Sequence, residues 1–125
     1  MSVIKAKKYY LGLDGNTRMN CALAVMSAFK ESHMLSEEQI NTVGRCGSGT
    51  APDGLCGAYY AASVILKDKV EILEREFKEK AESLKCKEIR AAKKLSCLQC
   101  VEHSARLVEE LSENIINEEA IKCNV

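Results

Sequence analysis

Seven cysteines, Cys21, Cys46, Cys56, Cys86, Cys97, Cys100 and Cys123, carry most of the reactive chemistry available to this chain of 125 residues. The tightest group is Ser96-Cys-Leu-Gln-Cys-Val-Glu-His103, a C-x-x-C pair with a histidine three residues on. That spacing brings both sulfurs to one side of the chain, where they can ligate one metal ion or close a small disulfide loop. Cys56 stands in Gly54-Leu-Cys-Gly-Ala-Tyr-Tyr-Ala61, where a glycine-rich loop turns into a helix. In a helix's first turn the unsatisfied N–H groups favour thiolate over thiol. Cys86 lies in Lys85-Cys-Lys87 with Arg90, Lys93 and Lys94 close behind, and nearby cations also stabilise a thiolate. Taken alone, the charge run reads as a solvated helix face. Cys21 sits in an apolar run, where a buried thiol usually behaves as a small hydrophobe.

The spacing excludes several familiar sites. Covalent haem attachment needs a histidine directly after the second cysteine of C-x-x-C, and here that residue is Val101. A zinc ribbon needs a second close pair, whereas Cys21, Cys46, Cys56 and Cys86 are scattered singly, so any ligand set must be assembled by tertiary folding. The glycine-rich segment follows no strand pattern and fits neither the dinucleotide fingerprint nor the phosphate loop. His33 reads as a surface residue between two helices and His103 as the exposed side of the last helix, so neither is a leading ligand candidate.

The elements that must position these thiols are helical. From Thr17 to about Ser32, Met19, Ala22, Leu23, Met26 and Phe29 recur at helical spacing, which puts Cys21 in the first turns of a buried helix. Ser36 with Gln39 has capping-box spacing, and Leu35 with Ile40 forms the accompanying staple. The stretch from Gly44 to Gly57 holds five of the seven glycines and the only proline, which predicts a loop with unusual backbone angles. Asp53 after Pro52 is the expected N-cap of the next helix, with Cys56 at its third position and its end near Leu66. Asp68 with Glu71 repeats the capping-box spacing before an amphipathic run through Leu84. A short piece from Cys86 to Lys94 follows, then a last helix from Ser96 to about Asn117, with 117–125 as a loose tail. No run of strict alternation appears, so the expected fold is all-α, a small bundle of about five short helices in a single cysteine-rich domain over 1–125.

Bulk composition narrows the function. Eighteen basic and eighteen acidic side chains give zero formal charge and no electrostatic reason to bind nucleic acid or an anionic membrane. The longest apolar stretch, Cys21 to Phe29, falls well short of the roughly 18 residues of a membrane span. The start, MSVIKAKKYYLG, lacks the apolar core of a secretory signal, and a cytoplasmic location is expected. In a reducing compartment an odd number of cysteines argues for metal binding or redox chemistry over a disulfide framework.

Asn20-Cys-Ala-Leu-Ala-Val25, the GLCGAYYA loop, Cys86-Lys-Glu-Ile89 and the Cys97/Cys100 segment before Val101 together resemble the C_GCAxxG_C_C family, named for four cysteines and a CGAxxG motif. The resemblance runs in order over about residues 6–111. It implies a small helical protein that is redox-active or binds an iron–sulfur cluster, and a related domain accompanies haem in split-Soret cytochromes. Carried over by position, the family cysteines are Cys21, Cys56, Cys86 and one of Cys97 and Cys100. The motif's last glycine is Ala61 here, a departure of one methyl group. Cys46 is then a candidate resolving thiol across the glycine loop from Cys56, and Cys123 a bystander.

The expected function is therefore thiol/disulfide exchange, or electron transfer through an iron–sulfur cluster, at a shared site of Cys21, Cys56, Cys86, Cys97 and Cys100. The expected partner is an electron donor or acceptor, or a thiol protein, and exposed apolar helix faces make a homodimer reasonable. The alternatives are a structural zinc site and a non-catalytic interaction module. Whether the chain is an enzyme is left open by the sequence.

Overall fold

The computed structural model describes residues 2–47 and 50–123, with side chains described as far as Ser112. Seven α-helices are present and no strand occurs among the described residues: α1 Ser2–Leu11, α2 Cys21–Ala28, α3 Glu37–Gly44, α4 Gly57–Ile65, α5 Val70–Ala81, α6 Cys86–Ala92 and α7 Cys97–Cys123. The all-α bundle is thus the architecture, with more helices than the sequence pattern suggests. Among the described residues no helix is long and apolar enough to cross a membrane.

The hub is α2, which packs against α1, α3, α4 and α7. Its sequence CALAVMSA is almost entirely apolar and six of its eight residues are buried, as a helix surrounded on all sides requires. Val25, Met26 and Phe29 from this segment meet Phe77, Leu73, Val101 and Val108 to form the core. The helix is half the length that its periodicity suggests. Asn20 caps it by accepting the Leu23 N–H at 2.8 Å, and the chain leaves helical geometry at Phe29, whose N–H turns back to Met26.

Helix α1 is the element that periodicity missed. Val3, Ala6 and Tyr10 face the core at intervals of three and four, but the one fully buried side chain is a methyl group and lysines fill the gaps. Tertiary contact holds it: the Ser2 N–H donates to Glu109 at 2.7 Å and α1 lies along α7. α3 begins with the expected capping box of Ser36 and Gln39. Asp68 makes no such box, because it lies inside a 3-10 turn, Lys67–Lys69, ahead of α5. α7 runs beyond Asn117, through the segment that composition marks as a loose tail, to Cys123.

Candidate functional site

Four helices begin with, or directly after, a cysteine, and those beginnings meet. Cys21 is the first residue of α2, Cys86 of α6 and Cys97 of α7, while Cys56 is the N-cap of α4. One turn into α7, Cys100 lies on the same face as Cys97. These five cysteines line one cavity of about 20 Å³, together with Gly57, Ile89, Arg90 and Leu95. None of the five is joined in a disulfide.

Local geometry explains the convergence. Pro52–Gly54 forms a 3-10 turn in which Asp53 and Gly54 both take left-handed backbone, with φ of 58° and 71°. The chain cannot enter a helix there, so Asp53 is not the cap that its position suggests. It emerges extended at Leu55, which bridges antiparallel to Lys85, and the Cys56 N–H donates to the Leu84 carbonyl at 2.7 Å. Because each bridged residue directly precedes a cysteine, this single pairing sets Cys56 beside Cys86. Ser96 and Gln99 form a capping box at the start of α7, each backbone N–H donating to the other's side chain, at 2.8 and 3.1 Å, which fixes the turn carrying Cys97 and Cys100.

Gly57 permits the close approach of α2 to α4. A Cβ built there would lie 2.6 Å from the Cys46 carbonyl oxygen and 2.7 Å from Cys21 Sγ. Only a residue without a side chain fits between these atoms.

The two thiols of C-x-x-C each find their partner on another helix. Cys97 interacts most strongly with Cys21, and Cys56 with Cys100. Cys97, at the start of α7 and partly exposed, also feels the Tyr10 hydroxyl and Arg90. The Cys21 interaction, followed by Tyr10 and the Arg90 charge, outweighs burial and holds its pKa down at about 6, so it is a thiolate at neutral pH. Tyr10 is pushed up to about 12 by its interaction with Cys97 and by desolvation. Cys56 is lowered by Cys100 and by the N–H groups of Ala58 and Tyr59, against desolvation. Cys100 is raised strongly, by Cys56 and by burial. Cys86 is raised by desolvation in spite of Arg90.

Several sequence expectations change. Cys56 is not on an accessible loop; it is 4% exposed, whereas Cys86 and Cys97 are the half-buried members of the group. Cys46 presents its carbonyl, not its sulfur, toward Gly57. Its thiol points to the Thr42 carbonyl at 3.9 Å, away from the cavity, so it is no resolving partner across the glycine loop. His103 is buried instead of exposed: it stacks on Phe77 with ring centroids 5.4 Å apart, and burial lowers its pKa. His33 bridges Ser32 and Ser112 at 3.0 and 2.8 Å, remote from the thiols. The side chain of Cys123 lies outside the described residues. Tyr10 is the residue near the thiols that sequence reading missed, while Arg90, named there only for Cys86, acts on Cys97 as well. Arg90 had a signal, since it stands four residues after Cys86 on one helix face. Tyr10 had none, because α1 shows no strong periodicity.

The donor chemistry of five thiols suits an iron–sulfur cluster, which takes four cysteinates. The cavity they line is about 20 Å³, and among the described residues no group of three or more metal-ligating side chains is already gathered around one point. Compared with protein-family models, with curated proteins and with solved structures, the chain matches none.

Proposed function

We propose that this chain is a thiol redox protein of the kind its resemblance implies, acting by dithiol/disulfide exchange in a reducing cytoplasm. The observation that supports it best is the convergence of five cysteines on one cavity, where Cys97 is partly exposed beside Cys21 and its pKa is held down at about 6. The thiolate, not the thiol, is the nucleophile in such exchange, and a pKa near ambient pH is the favourable compromise between ionisation and reactivity.

The chemistry follows from the two positions. Cys97 attacks one sulfur of an acceptor disulfide and expels the other as a thiolate, leaving a mixed disulfide. Cys21, losing its proton, attacks the Cys97 sulfur and expels the second acceptor thiolate. Two electrons have passed from the Cys21–Cys97 pair to the acceptor, and an external thiol reverses the process. The Cys56–Cys100 pair, each member at most 4% exposed, can exchange with the outer pair without meeting the acceptor. Cys86, with its raised pKa, stays protonated as a bystander at the rim.

Anaerobic purification followed by metal analysis and thiol titration tests this. The expected result is colourless protein with substoichiometric metal, in which oxidised dithiothreitol removes two thiols per chain and peptide mapping finds Cys21 joined to Cys97. Stoichiometric iron and sulfide would replace it with the cluster reading. Stoichiometric zinc would favour a structural site, and unreactive thiols the interaction module.

A further inference from the structure

Thiol exchange leaves the oxidant unspecified, and the cavity narrows the choice. The Cys97 sulfur is one wall of a space of about 20 Å³ whose other walls include Ile89, Leu95 and Gly57, with Cys21 at its back, 3% exposed. That volume is close to the roughly 10–15 Å³ that one water needs, so the space beside the Cys97 sulfur admits a molecule of about that size. We propose, building on the dithiol reading, that the oxidant reduced at Cys97 is a small hydroperoxide, with hydrogen peroxide itself as the best-fitting substrate.

The surroundings suit this reaction. Arg90 lines the same cavity as Cys97, and its charge acts on that sulfur. It can hold a peroxide oxygen while charge moves from sulfur to the departing one, as a positioned donor does for a developing anion. The Cys97 thiolate attacks the nearer peroxide oxygen and the O–O bond breaks. The departing oxygen takes the Cys21 proton and leaves as water, so that Cys97 carries a sulfenic acid and Cys21 a thiolate. Cys21 then attacks the Cys97 sulfur and displaces hydroxide, which is protonated by solvent, and the disulfide forms. Two thiol electrons have reduced one peroxide to two waters, and two equivalents of external thiol restore the pair. Cys21 lines the same cavity as Cys97, which puts the resolving thiol beside the sulfenic acid.

The test is rapid mixing of the reduced, full-length protein with hydrogen peroxide, with cumene hydroperoxide and with oxidised glutathione, followed by acid quench, thiol counting and peptide mapping. Hydrogen peroxide is expected to consume two thiols and link Cys21 to Cys97, at least about tenfold faster than either bulkier oxidant. Cys21→Ala, checked by circular dichroism, is expected to stop at a Cys97 sulfenate that dimedone traps. Oxidation by glutathione disulfide at a rate equal to or above that by peroxide would overturn the peroxide assignment and leave the dithiol reading standing. Inertness to all three oxidants would overturn both, and a peroxide-induced link confined to Cys56 and Cys100 would overturn the assignment to Cys97. The wild-type comparison decides these outcomes even if Cys21→Ala fails to fold.

Discussion

Replacing Gly57 by alanine puts a methyl group where the backbone of one segment and the sulfur of another already meet. The new carbon would stand 2.6 Å from the Cys46 carbonyl oxygen and 2.7 Å from Cys21 Sγ. Both contacts are about 1 Å short of the roughly 3.5–4.0 Å of favourable non-bonded packing. The carbonyl is held by its own backbone, where the Cys46 N–H donates to Val43 at 2.9 Å, so α4 must move away from α2. Overpacking of this kind costs about 1–3 kcal/mol. Alanine regains up to about 1 kcal/mol of helix propensity over glycine, leaving a net loss of up to about 2 kcal/mol if that gain is full. For a chain of this length that lowers Tm by up to about 10 °C. The displaced Cys21 sulfur also loses its alignment on Cys97, so the Cys97 pKa rises from about 6 toward its ordinary 9.0 and alkylation at neutral pH slows. Gly44→Ala is the control, because its Cβ meets only the end of the Leu23 side chain, at 2.8 Å, which can rotate away. Thermal melts followed by circular dichroism, with iodoacetamide kinetics on the same samples, measure both effects. A Gly57→Ala protein that melts at or above the wild type and alkylates Cys97 at the same rate would refute the close-approach argument.

The rate of Cys97 alkylation should rise with a midpoint near pH 6, and Arg90→Gln should move that midpoint upward, since it removes one charge and one donor from the thiolate. The same depressed pKa makes stability pH-dependent. The unfolded thiol binds its proton below about 9 and the folded one only below about 6, so the contribution is fully present above pH 9 and is lost as pH falls toward 6. Urea midpoints that do not change over that window would contradict the ionised state. Phe77→Ala, which empties the fully buried space between Tyr59 and His103, should cost about 3–5 kcal/mol in denaturant melts, and a loss under about 1 kcal/mol would mean that this aromatic stack does not anchor α5 to α4 and α7.

Much of the helical framework could be read from periodicity and caps, because those are local. Ser36 and Gln39 make their capping box as three-residue spacing predicts, and CALAVMSA is buried because every residue on it is small or apolar. The sequence grouped Cys21, Cys56, Cys86, Cys97 and Cys100 as candidates, and these five line one cavity while Cys46 does not. What it ranked wrongly were their environments. Cys56 was favoured for an accessible loop, yet the left-handed turn at Asp53 and Gly54 and the bridge of Leu55 to Lys85 draw it inside. His103 looked exposed on a helical wheel, but α5 lays Phe77 over it.

By itself, then, the sequence determined most of the helices, the loop that must carry glycine and a candidate set of thiols, since each of these depends on neighbours a few residues away. Only the tertiary structure decided that C-x-x-C would split its partners, Cys97 to Cys21 and Cys100 to Cys56, and that Tyr10 and Arg90 would reach Cys97. The reason is physical. A thiol's ionisation is set by donors and charges within a few ångströms, and those come from α1, α2, α4 and α6, elements as far as 87 residues from Cys97 along the chain.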